Sequence, residues 1–208
     1  SFGSELSGKA RARLEEMGVE VRLGARVTDV DATGLQVSDD TGSHRIDALT
    51  KVWAAGVQAS PLTATLAEQT GAGLDRAGRI EVLPDLTLPG HPEVFVVGDM
   101  ASLNGYPGVA QVAIQGGRYA AARIRSRLAA EPAAGGDAEN GSGATAYPPF
   151  VYRDKGSMAT ISRFSAVASI GRIRLTGFIA WVAWLAVHLV YIIGFKHRVT
   201  TLLHWAVS

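Results

Sequence analysis

The sequence predicts an α/β chain carrying a basic, apolar C-terminal region, and three observations lead there. Helical and strand periodicities alternate along the first 130 residues, from Leu6, Ala10, Leu14 and Met17 at helical spacing to Val19-Glu20-Val21-Arg22-Leu23 at a period of two. A continuous apolar run, Val94-Phe95-Val96-Val97, ends in Gly98-Asp99, as does a strand buried on both faces of a parallel sheet. Finally, Leu175 to Phe195 is 21 residues without a formal charge, 17 of them apolar or aromatic.

Taken in order, Ser4 to Met17 reads as a helix with Ser4 as N-cap and Gly18 as its stop. Val19–Leu23, Val27–Val30, Leu35–Val37 and Arg45–Asp47 read as strands, with Asp31-Ala32-Thr33-Gly34 and Asp39-Asp40-Thr41-Gly42 as turns. Val52-Trp53-Ala54-Ala55-Gly56-Val57 reads as a buried strand closed by glycine. A loop-rich hairpin surrounds Arg79–Val82, and a small-residue helix runs from Val109 to Leu128. Residues 131–146, rich in Gly and Ala, read as a flexible linker. The chain opens without Met and without a signal-peptide pattern, and the expectation is a fragment.

Composition narrows the function classes. Twenty basic and nineteen acidic residues over 208 are too balanced for a nucleic-acid footprint. The absence of cysteine excludes disulfides, thiolate metal sites and cysteine nucleophiles. The balance is uneven, however. Residues 147–208 hold seven Lys/Arg against one acid, a net +6, and the remainder thirteen against eighteen, a net −5. Such a tail favours an anionic lipid surface. The uncharged run would extend about 31 Å as one helix, enough to cross a bilayer. Arg163, Arg172 and Arg174 precede it and Lys196 and Arg198 follow, while Gly177, His188 and Gly194 interrupt it. These flanks favour an interfacial or re-entrant anchor, with a spanning helix and a core helix as the alternatives.

Asp99 is the sharpest single position, since ligands of open α/β sheets collect beyond the carboxyl ends of strands; a turn or capping role is the alternative. Gln111 and Gln115 lie four apart and project from one helix face, suiting a quinone carbonyl or flavin edge, or simply a solvated surface. Gly56 could admit a cofactor against bare backbone, or close a turn. Lys155 could donate to a flavin or quinone, or stand exposed beside Asp154. His188 is a candidate proton relay or a headgroup-facing residue. His197 and His204 form no metal constellation. No G-x-G-x-x-G and no G-x-x-x-x-G-K-[ST] occurs.

Val94-Phe95-Val96-Val97-Gly98-Asp99-Met100-Ala101 resembles the second flavin-binding motif of two-dinucleotide-binding-domain flavoproteins. Ala110-Gln111-Val112-Ala113-Ile114-Gln115-Gly116-Gly117 resembles the A-Q-x-A-x-Q pattern of type II NADH:quinone oxidoreductases, and Tyr152 to Ala159 through the apolar tail is similar to the C-terminal region of that family in an actinobacterial style. The family is about twice as long, with both glycine-rich nucleotide loops upstream. The resemblance therefore implies a partial Rossmann-like flavoprotein: 1–56 from the NADH domain, 57–130 from the FAD domain, the 131–146 linker, and a helical membrane anchor at 147–208. It implies hydride transfer from NADH to FAD and on to a membrane quinone without proton pumping, by a homodimer peripheral to the cytoplasmic side of the membrane, with the fragment alone inactive. By resemblance, Gly56, Gly98, Asp99, Ala110, Gln111 and Lys155 serve the cofactors, and Gln111, Gln115 and Met158 the quinone, with no metal and no catalytic side chain. A membrane-tethered non-catalytic domain, or another FAD-dependent pyridine nucleotide oxidoreductase, is the alternative.

Overall fold

Local turn chemistry organises the first fifty residues. The structure, a computed structural model, describes residues 2–130, 147–192 and 194–207. Helix α1 (Gly3–Glu16) is laced by i,i+4 pairs such as Lys9–Glu5 and Arg11–Glu15 and fully buries only Leu6. Strands β1 (Arg26–Val30), β2 (Gly34–Asp39) and β3 (Gly42–Asp47) form the expected antiparallel meander. In its first turn Asp31 Oδ1 accepts from the Thr33 and Gly34 amides at 2.8 and 3.0 Å. Arg45 on β3 then grips Asp31 with two nitrogens, at 2.8 and 3.0 Å.

The elements that follow are α2 (Leu62–Thr70), β4 (Ile80–Glu81), β5 (Thr87–Leu88), β6 (His91–Phe95), β7 (Ala101–Ser102) and α3 (Ala110–Ala130). Beyond the linker, whose predicted flexibility lies outside the described residues, come β8 (Ser157–Ser162), β9 (Ser165–Ile170), β10 (Ile173–Thr176), α4 (Gly177–Tyr191) and α5 (Phe195–Val207). The chain forms two compact units, one of residues 1–53 with 155–208 and the other of residues 54–154.

In the first unit β8, β9 and β10 make an antiparallel sheet on which α1 and α4 pack. Its core is built from small residues, Ala166, Ala168 and Ala180, with Met158, Leu175 and Trp181 around them. In the second unit the core is Ile80, Val82, Leu86, Leu88, Val96 and Phe150. The segment 147–154 lies over α3: Phe150 N–H donates to the Pro84 carbonyl at 2.7 Å, and Tyr119 Oη donates to the Pro148 carbonyl at 2.8 Å. Edge-to-face pairs of Phe150 with Tyr106 and Tyr119, at 6.0 and 5.6 Å, seat the aromatic residue.

Several expectations are corrected. Val19–Leu23 and Val52–Val57 are not strands; Val52, Trp53 and Val57 are 83%, 70% and 70% exposed. A strand needs a partner, and among the described residues none pairs with either run. The Val94–Val97 run is antiparallel to β5 through β6, and the parallel pairing in this unit is β4 with β7. The uncharged stretch from 175 to 195 is not one helix. Leu175 and Thr176 pair in β10, Gly177 (φ +66°) turns the chain into α4, and Gly194 (φ +90°) precedes α5. The fifteen residues of α4 extend roughly 22 Å, short of a bilayer core of about 30 Å. Among the described residues no helix is long and apolar enough to cross a membrane, so a spanning anchor has no support. Nor is α4 a core helix, because Phe178, Ile179, Val182 and Val190 are exposed.

Candidate functional site

After β6 the chain passes Val96, which is buried, and Val97, and then enters a single 3-10 turn, Gly98–Met100. Gly98 has φ +72°, a conformation glycine adopts without penalty. A Cβ there would stand 3.4 Å from the Ala113 Cβ, so this turn sits directly on the first turns of α3. The turn presents Asp99 exposed, against Gly108 two residues before α3; a Cβ on Gly108 would be 3.5 Å from Asp99 Oδ1. A carboxylate at the front of a helix is favoured by the partial positive charge of that end. Two residues without Cβ flank the acid, leaving bare backbone beside a strong acceptor. Behind the turn, Val97, Gly98, Tyr106, Val112, Gly116 and Phe150 enclose a cavity of about 20 Å³, room for a water and nothing larger.

Ala110 opens α3, with Gln111 half-buried in its first turn. Gln115, one turn on, is engaged on both sides of its amide: Nε2 donates to the Arg153 carbonyl at 2.9 Å, and the Arg153 amide donates to Oε1 at 3.0 Å. The side chain thus fastens the 147–154 segment to α3. Gly56 (φ +79°) lies in an irregular exposed stretch with nothing within 4 Å of where a Cβ would be.

The other predicted residues belong to the first unit. Lys155 Nζ donates to the Tyr191 hydroxyl at 3.3 Å, tying the entry of β8 to the end of α4. Met158 faces the alanine cluster of the sheet. Gly156 has φ +100°, and a Cβ on it would overlap the Ser169 carbonyl oxygen and approach Ile170 Cα to 2.9 Å. His188 donates from Nδ1 to the Trp184 carbonyl at 2.7 Å and stacks on that indole at 4.2 Å. The structure therefore gathers Gly98, Asp99, Ala110, Gln111 and Gln115 around one helix start, with Gly56 elsewhere in that unit, and sets Lys155 and Met158 in the other unit.

Sequence reasoning missed two features. The Phe150–Tyr152 segment over α3 carried no periodic signal. The groove of about 240 Å³ lined by Trp181, Trp184, Trp205, Arg163, Ser162 and Thr160 was foreshadowed only by two tryptophans three apart.

A match to the pyridine nucleotide-disulphide oxidoreductase family covers residues 1–117. The chain is 55% identical over all 208 residues to the type II NADH:quinone oxidoreductase Ndh of Mycobacterium tuberculosis, and 50% identical over 209 aligned positions to NdhA of the same organism, spanning 42% of each. It is 30% identical over 182 residues to the Staphylococcus haemolyticus type II NADH:quinone oxidoreductase, covering 85% of the chain and 40% of that protein. The chain thus spans less than half the length of these curated relatives. Among solved structures, NDH2 from Plasmodium falciparum in complex with NADH shares the fold with a TM-score of 0.77 at 14% identity, over 99% of this chain and 54% of that one.

Proposed function

The chain belongs to the pyridine nucleotide-disulphide oxidoreductase family, and from that premise we propose that it is the C-terminal portion of a flavoenzyme passing electrons from NADH through FAD to a membrane quinone, without proton pumping. The observation that carries this reading is the 55% identity across the whole chain with a protein named a type II NADH:quinone oxidoreductase. The Gly98–Asp99 turn supports it.

A flavin dinucleotide offers a chain of hydroxyls and a pyrophosphate, and the residues present fit the first. Asp99 accepts hydrogen bonds from the hydroxyls, while Gly98 and Gly108 let them approach the backbone. The pyrophosphate needs a glycine-rich loop that these 208 residues do not contain, so it falls to the rest of a longer protein. FAD, when bound, supplies the hydride-accepting and electron-donating chemistry; the protein supplies placement. Ala110 and Gln111 would hold the flavin ring side of the cofactor, and Gln111 would also serve the quinone. Gln115 acts as a positioning residue, holding the segment that leads through Arg153 to Lys155 and Met158. Gly56 marks the approach of the nicotinamide half. The exposed apolar residues of α4 and α5, with Lys196 and Arg198 beside them, lie peripherally against the cytoplasmic membrane surface.

The test is made in a chain extended at its N-terminus to the length of its relatives. That protein purifies with flavin absorbance and oxidises NADH with a quinone acceptor. Asp99→Ala weakens FAD by about tenfold or more, the value of a charge-assisted hydrogen bond of about 1.5–3 kcal/mol. An extended protein that never retains flavin would overturn the assignment.

A further inference from the structure

We infer that the groove between β8, α4 and α5 is a binding site for the phosphate headgroup of an anionic phospholipid, an inference that rests on the peripheral membrane reading above and gives it a lipid specificity. Its lining divides by chemistry. Trp181 and Trp184 on α4 and Trp205 on α5 form an indole wall, with the Trp184 and Trp205 ring centroids 5.1 Å apart. Facing them are Thr160 and Ser162 of β8, which both line the groove although the β8–β9 register shifts between them, and Arg163, exposed at the β8–β9 turn with its guanidinium 4.9 Å from the Phe164 ring centroid.

Size, chemistry and charge choose the ligand. About 240 Å³ is below the roughly 300–1,000 Å³ of cofactor and drug-sized pockets, and accommodates a headgroup but not a dinucleotide. A guanidinium fork beside two hydroxyls matches the tetrahedral oxygens of a phosphodiester. Tryptophan is the side chain that prefers the level of the headgroups, one end apolar and the other wet. The surrounding surface agrees. Phe178, Ile179, Leu202 and Leu203 are exposed on the same two helices, and residues 147–208 carry a net +6. An acidic peptide would satisfy the charge but would leave the exposed apolar residues of both helices uncovered, whereas a lipid satisfies both.

The experiment uses the full 208-residue chain carrying Trp53→Phe, so that only the groove indoles emit. It is titrated with phosphatidylcholine vesicles, with vesicles containing phosphatidylglycerol, and with inorganic phosphate alone. Phosphatidylglycerol vesicles should shift the emission to the blue, saturably, and inorganic phosphate should not. Arg163→Gln should lose about tenfold more affinity for those vesicles than Arg172→Gln, which removes the same charge from the same region. Arg163→Lys, which keeps the charge without the fork, should fall between. Equal losses for Arg163→Gln and Arg172→Gln would mean diffuse attraction only, overturning the site while leaving the peripheral reading intact. A response to inorganic phosphate matching that to lipid would overturn the lipid assignment in favour of a soluble anion. Failure to bind any vesicle would remove the membrane reading and the site together.

Discussion

Gly156→Ala should unfold the tryptophan-bearing unit at markedly lower denaturant than the native sequence. The native residue holds φ +100°, where an L side chain is strained by about 1–3 kcal/mol. Its added methyl would also overlap the Ser169 carbonyl and stand 2.9 Å from Ile170 Cα. Both neighbours are backbone atoms of β9, so neither can swing aside as a side-chain tip could, and the overpacking adds about 1–3 kcal/mol. The combined loss is about 2–6 kcal/mol. Gly171→Ala supplies the control. Gly171 holds φ +57° with nothing within 4 Å of its would-be Cβ, so only the left-handed strain of about 1–2 kcal/mol applies. All four tryptophans, Trp53, Trp181, Trp184 and Trp205, belong to the unit containing both glycines, so urea unfolding followed by indole emission reports on that unit. With a slope of about 1–3 kcal/mol per molar, the midpoint of Gly156→Ala should fall below that of Gly171→Ala by about 1 M. Coincident midpoints would refute the reasoning, because they would show that β9 yields to the methyl without resistance.

Two further outcomes follow from named contacts. Gln115→Ala removes two neutral hydrogen bonds, and exchange of the Arg153 amide should quicken about tenfold or more; Gln115→Glu, which still accepts from that amide but cannot donate to the carbonyl, should quicken it less. The Arg45 guanidinium, together with the Thr33 and Gly34 donors, holds the Asp31 carboxyl well below the usual carboxylate range. Because the folded value is depressed, the stabilisation of the β1–β3 meander is complete above the ordinary aspartate pKa. It is lost as pH falls from there through the folded value, and Asp31→Asn should abolish that acid dependence of the Thr33 amide shift.

What the sequence disclosed was chiefly local. The β1–β2 and β2–β3 turns were legible because Asp31 and Asp39 make their own backbone hydrogen bonds two residues on. The helix α3 was legible from small residues at helical spacing. The run Val52–Val57 was misread because apolar character signals a wish for burial and not the identity of the partner. Strands β8 and β9, Ser-Met-Ala-Thr-Ile-Ser and Ser-Ala-Val-Ala-Ser-Ile, are not legible in the sequence because small Ser and Ala residues break both the apolar run and the polar–apolar alternation that mark a strand. At the candidate site, Asp99 and Gly98 stood out in the sequence through the strand end they close, whereas Gly108, which the structure sets against Asp99, carried no sequence signal. That Gln115 faces a backbone rather than open surface depends on a segment 38 residues away, and no pattern local to α3 encodes it.

The Gln115 amide also acts as a pawl. By offering one donor and one acceptor side by side, it imitates the single rung that a neighbouring strand would present, and so fixes which peptide of the segment may stop opposite it. Phe150 is 5% exposed, Val151 is 63% exposed, and Tyr152 and Arg153 repeat the alternation of inside and outside. A slip of one residue would reverse every one of these faces, turning the two aromatic rings outward and pressing Arg153 into the apolar core. A side chain thus does for this ribbon what one rung of an adjoining strand does within a sheet, and it sets the register together with the Phe150–Pro84 and Tyr119–Pro148 hydrogen bonds.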